Sequence, residues 1–420
     1  MNPILPCKYY IPDVEARQFA DGTIYLYGSS DICGNDDYCS RKYDTFSSRT
    51  MDEWKRYPDI FTGKDSFNDG NFVLYAPDCQ YINGKYCLFY CTNDGSEGVA
   101  FSDQPCGPFT DARPIGNADG KGIDPAVFVD DDSSVYYYWA QHHAKGGRLD
   151  VETWTVIPET INENLLSEEV EGFHEGSSVR KRNGIYYYVY ADISRGRPTC
   201  LGYATADHPL GPYRKRGIII DNTGCDPSNW NNHGCIAEID GEWYVFYHRS
   251  THNSKYSRQV CVERIHFRAD GTIEPVEMTT QGIDGPIDCR QELMAYRTCK
   301  MTGGCYIDDC QDNGECLEYV TNLRDGDTCQ FRYLDFSAEP TRLIVKAATK
   351  TAGLKLVVYL DDNPHDVIGE AELTRTNGSF EFLETVVPCR AVSGVHSVHV
   401  MVIGTENAVG RLMSIRFESD

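Results

Sequence analysis

The chain has 420 residues, which is enough for two or three domains. It carries 63 acidic and 39 basic side chains, a formal net charge of −24 at pH 7. A chain this acidic lacks the basic surface that nucleic acid or an anionic membrane would require, so we expect neither partner.

The cysteine pattern and the first residues bear on where the protein works. The 18 cysteines are scattered along the chain without C-x-x-C pairs, which predicts mostly reduced, buried thiols. The first residues contain no signal-peptide pattern and no apolar run reaches transmembrane length. We therefore expect a cytoplasmic protein, or a secreted or periplasmic one if a signal peptide has been trimmed.

One strand–turn–strand pattern recurs five times in the first 290 residues. Its clearest copy spans residues 173–190, where Asn183-Gly184 separates two runs of strand-forming residues. The aromatic second strands of the other copies begin at Gly22, Gly84, Ser134 and Gly241. The intervals between successive turns are 62, 50, 50 and 57 residues. A period near 50 residues with one hairpin per unit predicts a five-bladed β-propeller.

A polar residue precedes or opens each of these hairpins. In chain order they are Asp13, Asp78, Asp124, Glu175 and His233. Because the innermost strands of a propeller all begin at the same end of the central funnel, we expect these five side chains to converge on one axial pocket.

The spacing of predicted strands and turns changes after residue 285. We predict a propeller over residues 1–285, a linker over 286–294 and a second domain over 295–420. Short alternating strands separated by polar turns predict a β-sandwich of the jelly-roll type for this domain, so the whole chain is all-β. Residues 159–171, which are acidic and only weakly periodic, are predicted to be a loop.

Converging carboxylates suit the hydrolysis of a glycosidic bond. That reaction needs one protonated carboxyl group to donate to the leaving oxygen and one carboxylate to activate water or attack carbon. The predicted pocket offers Asp13, Asp124 and Glu175 for these roles, and the residue types alone do not assign them.

Several motifs in a fixed order resemble glycoside hydrolase family 43 over roughly residues 1–285. The matching stretches are Asn2–Pro6 with Pro12-Asp13, Ala76-Pro77-Asp78, Ile123–Ala126, Glu175-Gly176 before the Asn-Gly hairpin, and His233-Gly234 with Tyr247-His248-Arg249. The resemblance implies a five-bladed propeller that acts with inversion of configuration. Inversion needs room for a water, so it predicts carboxyl groups about 6.5–9.5 Å apart.

The same resemblance assigns roles to residues. It implies Asp13 as general base, Glu175 as general acid and Asp124 as the residue that orients the acid and tunes its pKa. It implies no cofactor for the chemistry, but a possible structural Ca²⁺ near His233. The predicted substrate-binding residues are Tyr75, Asp78, His174 and Arg258.

The second domain resembles a family 6 carbohydrate-binding module. The resemblance is carried by residues 299–307, 320–336 and 415–417. Such modules often use an aromatic residue and an Asn near the C-terminus to bind sugar, and residues 411–415 (RLMSI) contain neither. Sugar binding and a purely structural role therefore both stay open for this domain.

The sequence as a whole predicts an inverting, exo-acting glycoside hydrolase that removes a terminal pentose from plant cell-wall oligosaccharides or polysaccharides. An α-L-arabinofuranosidase is the first choice and a β-xylosidase the second. A β-galactofuranosidase or an endo-arabinanase on the same scaffold are further alternatives. A non-catalytic sugar-binding propeller is the alternative from a different class.

Overall fold

The fold was analysed in a computed structural model that describes residues 1–118, 122–312, 315–378 and 380–419. The strands of the first 264 residues are β1 (Glu15–Gln18), β2 (Ile24–Tyr27), β3 (Lys42–Ser48), β4 (Lys55–Thr62), β5 (Asp78–Ile82), β6 (Lys85–Cys91), β7 (Glu97–Ser102), β8 (Thr110–Pro114), β9 (Ala126–Val129), β10 (Val135–Trp139), β11 (His143–Asp150), β12 (Thr155–Val156), β13 (Asn162–Ser167), β14 (Phe173–Arg182), β15 (Ile185–Asp192), β16 (Cys200–Ala206), β17 (Arg214–Ile220), β18 (Cys235–Ile239), β19 (Glu242–Thr251) and β20 (Ser254–Arg264).

These strands form the five blades of a propeller, which confirms the predicted architecture. The blades are the antiparallel sheets β1–β4, β5–β8, β9–β12 with β13 added to β11, β14–β17, and β18–β20. The innermost strands contact one another in a ring, in the order β1, β5, β9, β14, β18 and back to β1.

The N-terminal segment completes the fifth blade. The backbone N–H of Ile4 donates to the carbonyl of Val260 in β20 at 3.1 Å. The buried side chain of Asn2 donates to the carbonyl of Val262 at 3.0 Å and accepts from the same residue's N–H at 2.9 Å. The two ends of the propeller chain are therefore joined by hydrogen bonds within one blade.

The Asn-Gly turns build the hairpins as predicted. Asn183 and Gly184 have φ values of 50° and 77°, and Arg182 pairs directly with Ile185. Positive φ at both central residues is the signature of a type I′ turn, whose twist matches that of the flanking strands. Asn83-Gly84 repeats this geometry between β5 and β6.

The predicted loop at residues 159–171 was wrong. This stretch contains β13, which pairs with β11, and a short helix α1 (Glu168–Glu171). The side chain of Ser167 caps α1 by accepting from the N–H of Val170 at 3.2 Å. The only other helical elements of the described chain are single 3₁₀ turns, Pro158–Thr160 and Ala295–Arg297. None of these helices is long or apolar enough to cross a membrane.

The second domain is a β-sandwich of two six-stranded sheets. Its strands are β21 (Ile287–Asp288), β22 (Leu293–Met294), β23 (Lys300–Met301), β24 (Tyr306–Asp312), β25 (Glu315–Leu323), β26 (Thr328–Asp335), β27 (Arg342–Thr349), β28 (Lys355–Leu360), β29 (Val367–Glu372), β30 (Leu383–Pro388), β31 (Val395–Ile403) and β32 (Gly410–Glu418). One sheet has the order β21-β26-β31-β28-β29 with β23 on β26, and the other β24-β25-β32-β27-β30 with β22 on β32. Residues 286–294, predicted as linker, thus contribute β21 and β22 to the sandwich.

The sandwich packs against the propeller through buried polar contacts. The buried carboxylate of Glu318 in β25 accepts from the hydroxyl of Tyr10 at 3.0 Å and from the amide of Gln259 at 2.8 Å. The backbone N–H of His252, at the tip of the β19–β20 hairpin, donates to the carbonyl of Ile307 in β24 at 2.7 Å. These contacts hold the second domain against the side of the funnel where the innermost strands begin.

Candidate active site

A cavity of about 270 Å³ opens at the axial end where the innermost strands begin. Its lining residues are Asp13, Tyr38, Cys39, Tyr75, Ala76, Ile123, Asp124, Gln141, His174, Glu175, Arg197, Trp230, Asn231, His233 and Arg258. The structure therefore brings together four of the five residues that were expected to converge. It also brings three of the four predicted substrate-binding residues to the same cavity.

Irregular backbone at the strand heads places the three carboxylates. Asp13 and Asp124 have φ values of 57° and 56°, in the left-handed region that non-glycine residues seldom adopt. Glu175 is followed by Gly176 at φ 76°, next to an irregularity in the β14–β15 register. A Cβ at Gly176 would lie 2.8 Å from the His233 ring, so only glycine fits there.

Asp13 is surrounded by cationic and imidazole groups. The Nη1 atom of Arg258 donates to Asp13 Oδ1 at 2.9 Å. The Nδ1 atoms of His233 and His248 each lie 3.5 Å from the same oxygen. Burial opposes ionisation of Asp13, but the charge of Arg258 and the contact with His233 outweigh it and hold the pKa of Asp13 below its usual range. Asp13 is thus a carboxylate across the working pH range.

Arg258 is itself locked in place. Its Nε donates to Asp31 Oδ2 at 2.8 Å and its Nη2 donates to Asp31 Oδ1 at 2.9 Å, a bidentate ion pair. Arg258 is 2% exposed, and its guanidinium lies 4.8 Å from the centre of the Tyr38 ring. Such a guanidinium acts as a fixed positive charge beside Asp13.

Asp124 has the opposite electrostatic character. Burial is the main reason that the pKa of Asp124 is raised to about 7, with His233 acting against this rise and Glu175 adding to it. The Nδ1 atom of His233 lies 3.8 Å from Asp124 Oδ2. Burial opposes the charged form of His233, but Asp124 and Asp13 outweigh it and raise the pKa of His233 to about 9. His233 therefore carries a positive charge between two carboxylates.

The environment of His233 bears on the expected calcium ion. Calcium takes six to eight oxygen ligands in proteins. The carboxylates of Asp13 and Asp124 both face the Nδ1 atom of the His233 imidazole. Within the described chain, His233 belongs to no cluster of three possible ligands. The described side chains thus do not form a calcium cage, and the ion near His233 stays a prediction.

Glu175 is the least buried of the three carboxylates. The side-chain amide of Gln141 donates to Glu175 Oε2 at 2.7 Å. Of the three acids, Glu175 is therefore the one most open to solvent.

His174 lines the cavity, but both of its ring nitrogens are engaged. Its Nδ1 lies 2.6 Å from Glu168 Oε2, and its Nε2 accepts from the Nη2 of Arg197 at 3.0 Å. The Arg197 guanidinium in turn lies 4.3 Å from the centre of the Trp230 ring, which is 41% exposed. His174 thus supports a wall of the cavity made by Arg197 and Trp230.

Tyr75 and Asp78, the other two predicted substrate-binding residues, differ in where their side chains lie. Tyr75 lines the cavity. Asp78 does not: it is fully buried and accepts two hydrogen bonds of 2.7 Å from the Nη2 of Arg17, one on each oxygen. It also accepts from the N–H of Val127 at 2.8 Å. As the first residue of β5, Asp78 reaches sideways to neighbouring blades, so its predicted place in the substrate pocket is corrected to an internal ion pair.

Comparisons with known proteins agree with this architecture. Residues 1–273 match the model of glycosyl hydrolases family 43. The chain belongs to glycoside hydrolase family 43. Residues 295–419 match the carbohydrate-binding module family 6. The protein is therefore a glycoside hydrolase with an attached module of that family.

Three relatives illustrate the similarity. A xylosidase/arabinosidase of Thermoclostridium stercorarium is 31% identical over 80% of this chain and 82% of its own length. An arabinoxylan arabinofuranohydrolase of Bacillus subtilis is 26% identical over 92% of this chain and 86% of its own. The calcium-free structure of a β-xylosidase/α-arabinofuranosidase from a compost metagenome, in complex with xylotriose, has a TM-score of 0.57 and 29% identity. It covers 66% of this chain and 97% of that one.

Some lining residues of this family 43 pocket were missed by the sequence analysis. Gln141 lies two residues after the aromatic strand of the third blade, and Trp230 precedes His233 by three residues. Arg197 lies in the segment between β15 and β16, where no motif marks it. Closeness to a recognised motif could have identified the first two, whereas Arg197 is found only through its contacts.

Proposed function

We propose that this chain is an inverting exo-glycosidase that removes a terminal α-L-arabinofuranosyl residue from arabinoxylan or its oligosaccharides. The observation that carries the proposal is the pairing of Asp13 with Arg258 in a cavity of about 270 Å³ that also holds Asp124 and Glu175. This volume lies just below the range of about 300–1,000 Å³ usual for pockets that take drug-sized ligands, and it suits a single sugar ring.

In the proposed reaction Asp13 is the general base. It takes a proton from a water molecule as the water oxygen attacks the anomeric carbon, on the face opposite the leaving group. Arg258 keeps Asp13 ionised and fixes its orientation. The bond between the anomeric carbon and the glycosidic oxygen breaks in the same step. Asp13 takes up the proton of the water, and Glu175 supplies the proton that the glycosidic oxygen receives.

Glu175 is the general acid in this proposal. It delivers its proton to the departing glycosidic oxygen, while Gln141 holds its other oxygen. Asp124 lies within the same cavity, and we assign it the role of orienting Glu175. After the product leaves, the proton taken up by Asp13 returns to solvent and Glu175 is reprotonated.

The choice of arabinofuranose rests on the relatives that align with both domains. The relative that covers 92% of this chain is named an arabinoxylan arabinofuranohydrolase, and the one that covers 80% a xylosidase/arabinosidase. The solved β-xylosidase/α-arabinofuranosidase covers 66% of this chain, about the length of the propeller. A β-xylosidase is accordingly the second candidate. The proposal routes no step through a calcium ion.

The proposal is tested with a panel of 4-nitrophenyl glycosides and with arabinoxylan. Wild type, Glu175→Ala and Glu238→Gln are compared on the α-L-arabinofuranoside, β-D-xyloside and β-D-galactofuranoside. Glu238 is an exposed residue on the innermost strand of the fifth blade and serves as the matched control. We expect release of arabinose that is at least about 10²-fold slower in Glu175→Ala and unchanged in Glu238→Gln. Faster hydrolysis of the xyloside would favour the second candidate.

A further inference from the structure

Three possible metal ligands from distant parts of the chain meet where the sandwich docks on the propeller. Cys33 lies in the segment between β2 and β3, His252 at the tip of the β19–β20 hairpin, and Asp309 in β24 of the sandwich. One ligand atom of each residue lies within 4.8 Å of those of the other two. All three residues are partly buried. The cluster lies outside the cavity described above.

The hydrogen bonds of His252 determine which ring nitrogen is available. The hydroxyl of Thr251 lies 2.8 Å from His252 Nδ1 and 2.9 Å from the carbonyl oxygen of Ser257. A carbonyl oxygen can only accept, so the hydroxyl hydrogen is used there. Both short contacts are hydrogen bonds only if His252 Nδ1 carries its own hydrogen and donates it to Thr251.

This tautomer leaves a lone pair on His252 Nε2. That atom faces Asp309 Oδ1 at a distance of 3.3 Å, so two acceptors point at each other. A cation beside both acceptors, either a proton or a metal ion, would satisfy them. Nδ1–H donation to a fixed oxygen is also the usual arrangement behind a metal-binding histidine.

The surroundings hold His252 rigidly in this orientation. Its backbone N–H donates to Ile307 at 2.7 Å, and its ring packs edge-on against Tyr10 with a centroid distance of 5.6 Å. The other oxygen of Asp309 lies 3.6 Å from the thiol of Cys316, which is a further sulfur ligand next to the set. His252 and Asp309 thus lie beside two thiols, those of Cys33 and Cys316.

We propose that Cys33, His252 and Asp309 bind a zinc ion that joins the two domains. Thiolate, imidazole and carboxylate are the three side-chain ligand types of zinc, whereas calcium and magnesium take oxygen ligands. Three ligands of these types from three segments leave a fourth tetrahedral position for Cys316 or water.

The ion would connect the sandwich to the active site. Cys33 is two residues after Asp31, whose carboxylate makes the bidentate pair with Arg258. A zinc ion at Cys33 would therefore fix the segment that holds Arg258 beside Asp13. The sandwich would thereby stabilise the catalytic domain without touching a sugar.

The test measures zinc in the full-length protein. The purified chain is stripped with a chelator under reducing conditions, incubated with zinc chloride, desalted and analysed by mass spectrometry. We expect about one zinc ion per chain. The isosteric variants Cys33→Ser and Asp309→Asn should lose it, and Thr251→Val should bind about 10–100-fold more weakly because the imidazole is no longer oriented. Thermal melting of the stripped proteins checks that each variant folds.

Two controls separate this site from others. Cys106→Ser removes another partly buried thiol, and His142→Asn disrupts the other three-residue cluster of possible ligands in the described chain, His142 with Glu168 and His174. Both controls should keep the zinc and the rise in melting temperature that zinc produces. Cobalt substitution should give a thiolate-to-cobalt absorption band in wild type that is missing in Cys33→Ser.

The proposal is overturned by any of three results. The first is a wild-type protein that binds no zinc, which would mean that only a proton lies between His252 and Asp309. The second is full zinc retention in both Cys33→Ser and Asp309→Asn. The third is loss of zinc in His142→Asn, which would place the ion in the other cluster.

Discussion

The guanidinium of Arg258 donates from Nη1 to Asp13 at 2.9 Å, while its Nε and Nη2 atoms donate to the two carboxyl oxygens of Asp31. The general base proposed for this enzyme therefore faces a positive charge that cannot move away. This contact links two residues that lie 245 positions apart in the sequence. It explains why a carboxylate buried this deeply can stay ionised.

Replacing Arg258 with Met should impair the base in a way that pH reveals. We expect kcat/KM to fall by about 10²–10³-fold, because a fixed charge next to the reacting groups is lost. Arg258 lowers the pKa of Asp13, so its removal should raise that pKa and move the acidic limb of the kcat/KM profile to higher pH. Arg249→Met, which removes an equally buried arginine of the same blade outside the cavity, should leave the limb in place. An unmoved acidic limb in Arg258→Met would contradict this role.

Replacing Asp78 with Asn should affect stability and not substrate binding. The change removes the buried partner of a largely buried ion pair and leaves Arg17 partly uncompensated, so we expect the free energy of unfolding to fall by about 3–5 kcal/mol. Denaturant unfolding measures this loss. KM for the aryl arabinofuranoside should stay within about twofold of wild type, since Asp78 does not line the cavity. A tenfold rise in KM with unchanged stability would return Asp78 to the substrate site.

The wall formed by Arg197 and Trp230 should contribute to binding the polysaccharide. Trp230→Ala removes a partly exposed aromatic side chain that lines the cavity, and we expect KM for arabinoxylan oligosaccharides to rise about tenfold, or about 1.4 kcal/mol. KM for the small aryl glycoside should change less, because it lacks the sugars that would reach the wall. Tyr81→Ala, which removes an exposed aromatic ring that does not line the cavity, is the control. Equal KM changes for both substrates would contradict a role of this wall in binding the polysaccharide.

His248 should make the protein sensitive to acid. Burial, helped by the charge of Arg258, lowers the pKa of His248 to about 3. A folded-state pKa below the unfolded value of about 6.5 contributes stability above pH 6.5 that is lost as the pH falls toward 3. As the pH falls from 6.5 to 4.5, the low pKa of His248 should lower the free energy of unfolding by about 2–3 kcal/mol. His248→Gln should flatten the curve in that interval, and an identical pH dependence in variant and wild type would refute the assignment.

The propeller could be predicted because its hairpins carry strong local signals. Asn183-Gly184 satisfies the positive φ values of a type I′ turn through residue type alone, and the aromatic strands repeat at a regular interval. The carboxylates at the strand heads followed from that repeat, since every innermost strand starts at the same end of the funnel. The roles of Asp13, Asp124 and Glu175 came from family resemblance rather than from the pattern.

Other features depend on contacts that sequence spacing does not encode. Asp78 is the first residue of its innermost strand, whereas Asp13 and Asp124 lie two residues before theirs, and Asp78 turns toward Arg17 instead of the cavity. Arg197 reaches the site from a segment without a motif. The strand β13 and helix α1 form in a weakly periodic stretch because pairing with β11 and a cap at Ser167 override the local preference.

The central claim is that Glu175 is the general acid and Asp13 the general base of an exo-acting arabinofuranosidase. The most direct test compares wild type, Glu175→Gln and Asp13→Asn on two α-L-arabinofuranosides, one with a dinitrophenyl leaving group and one with methyl. Loss of the acid should slow the methyl glycoside by about 10³-fold and spare the dinitrophenyl glycoside, whose leaving group needs no proton. Loss of the base should slow both substrates to a similar extent. The account would be contradicted if Glu175→Gln slowed both glycosides equally, or if Asp13→Asn kept wild-type rates on either one.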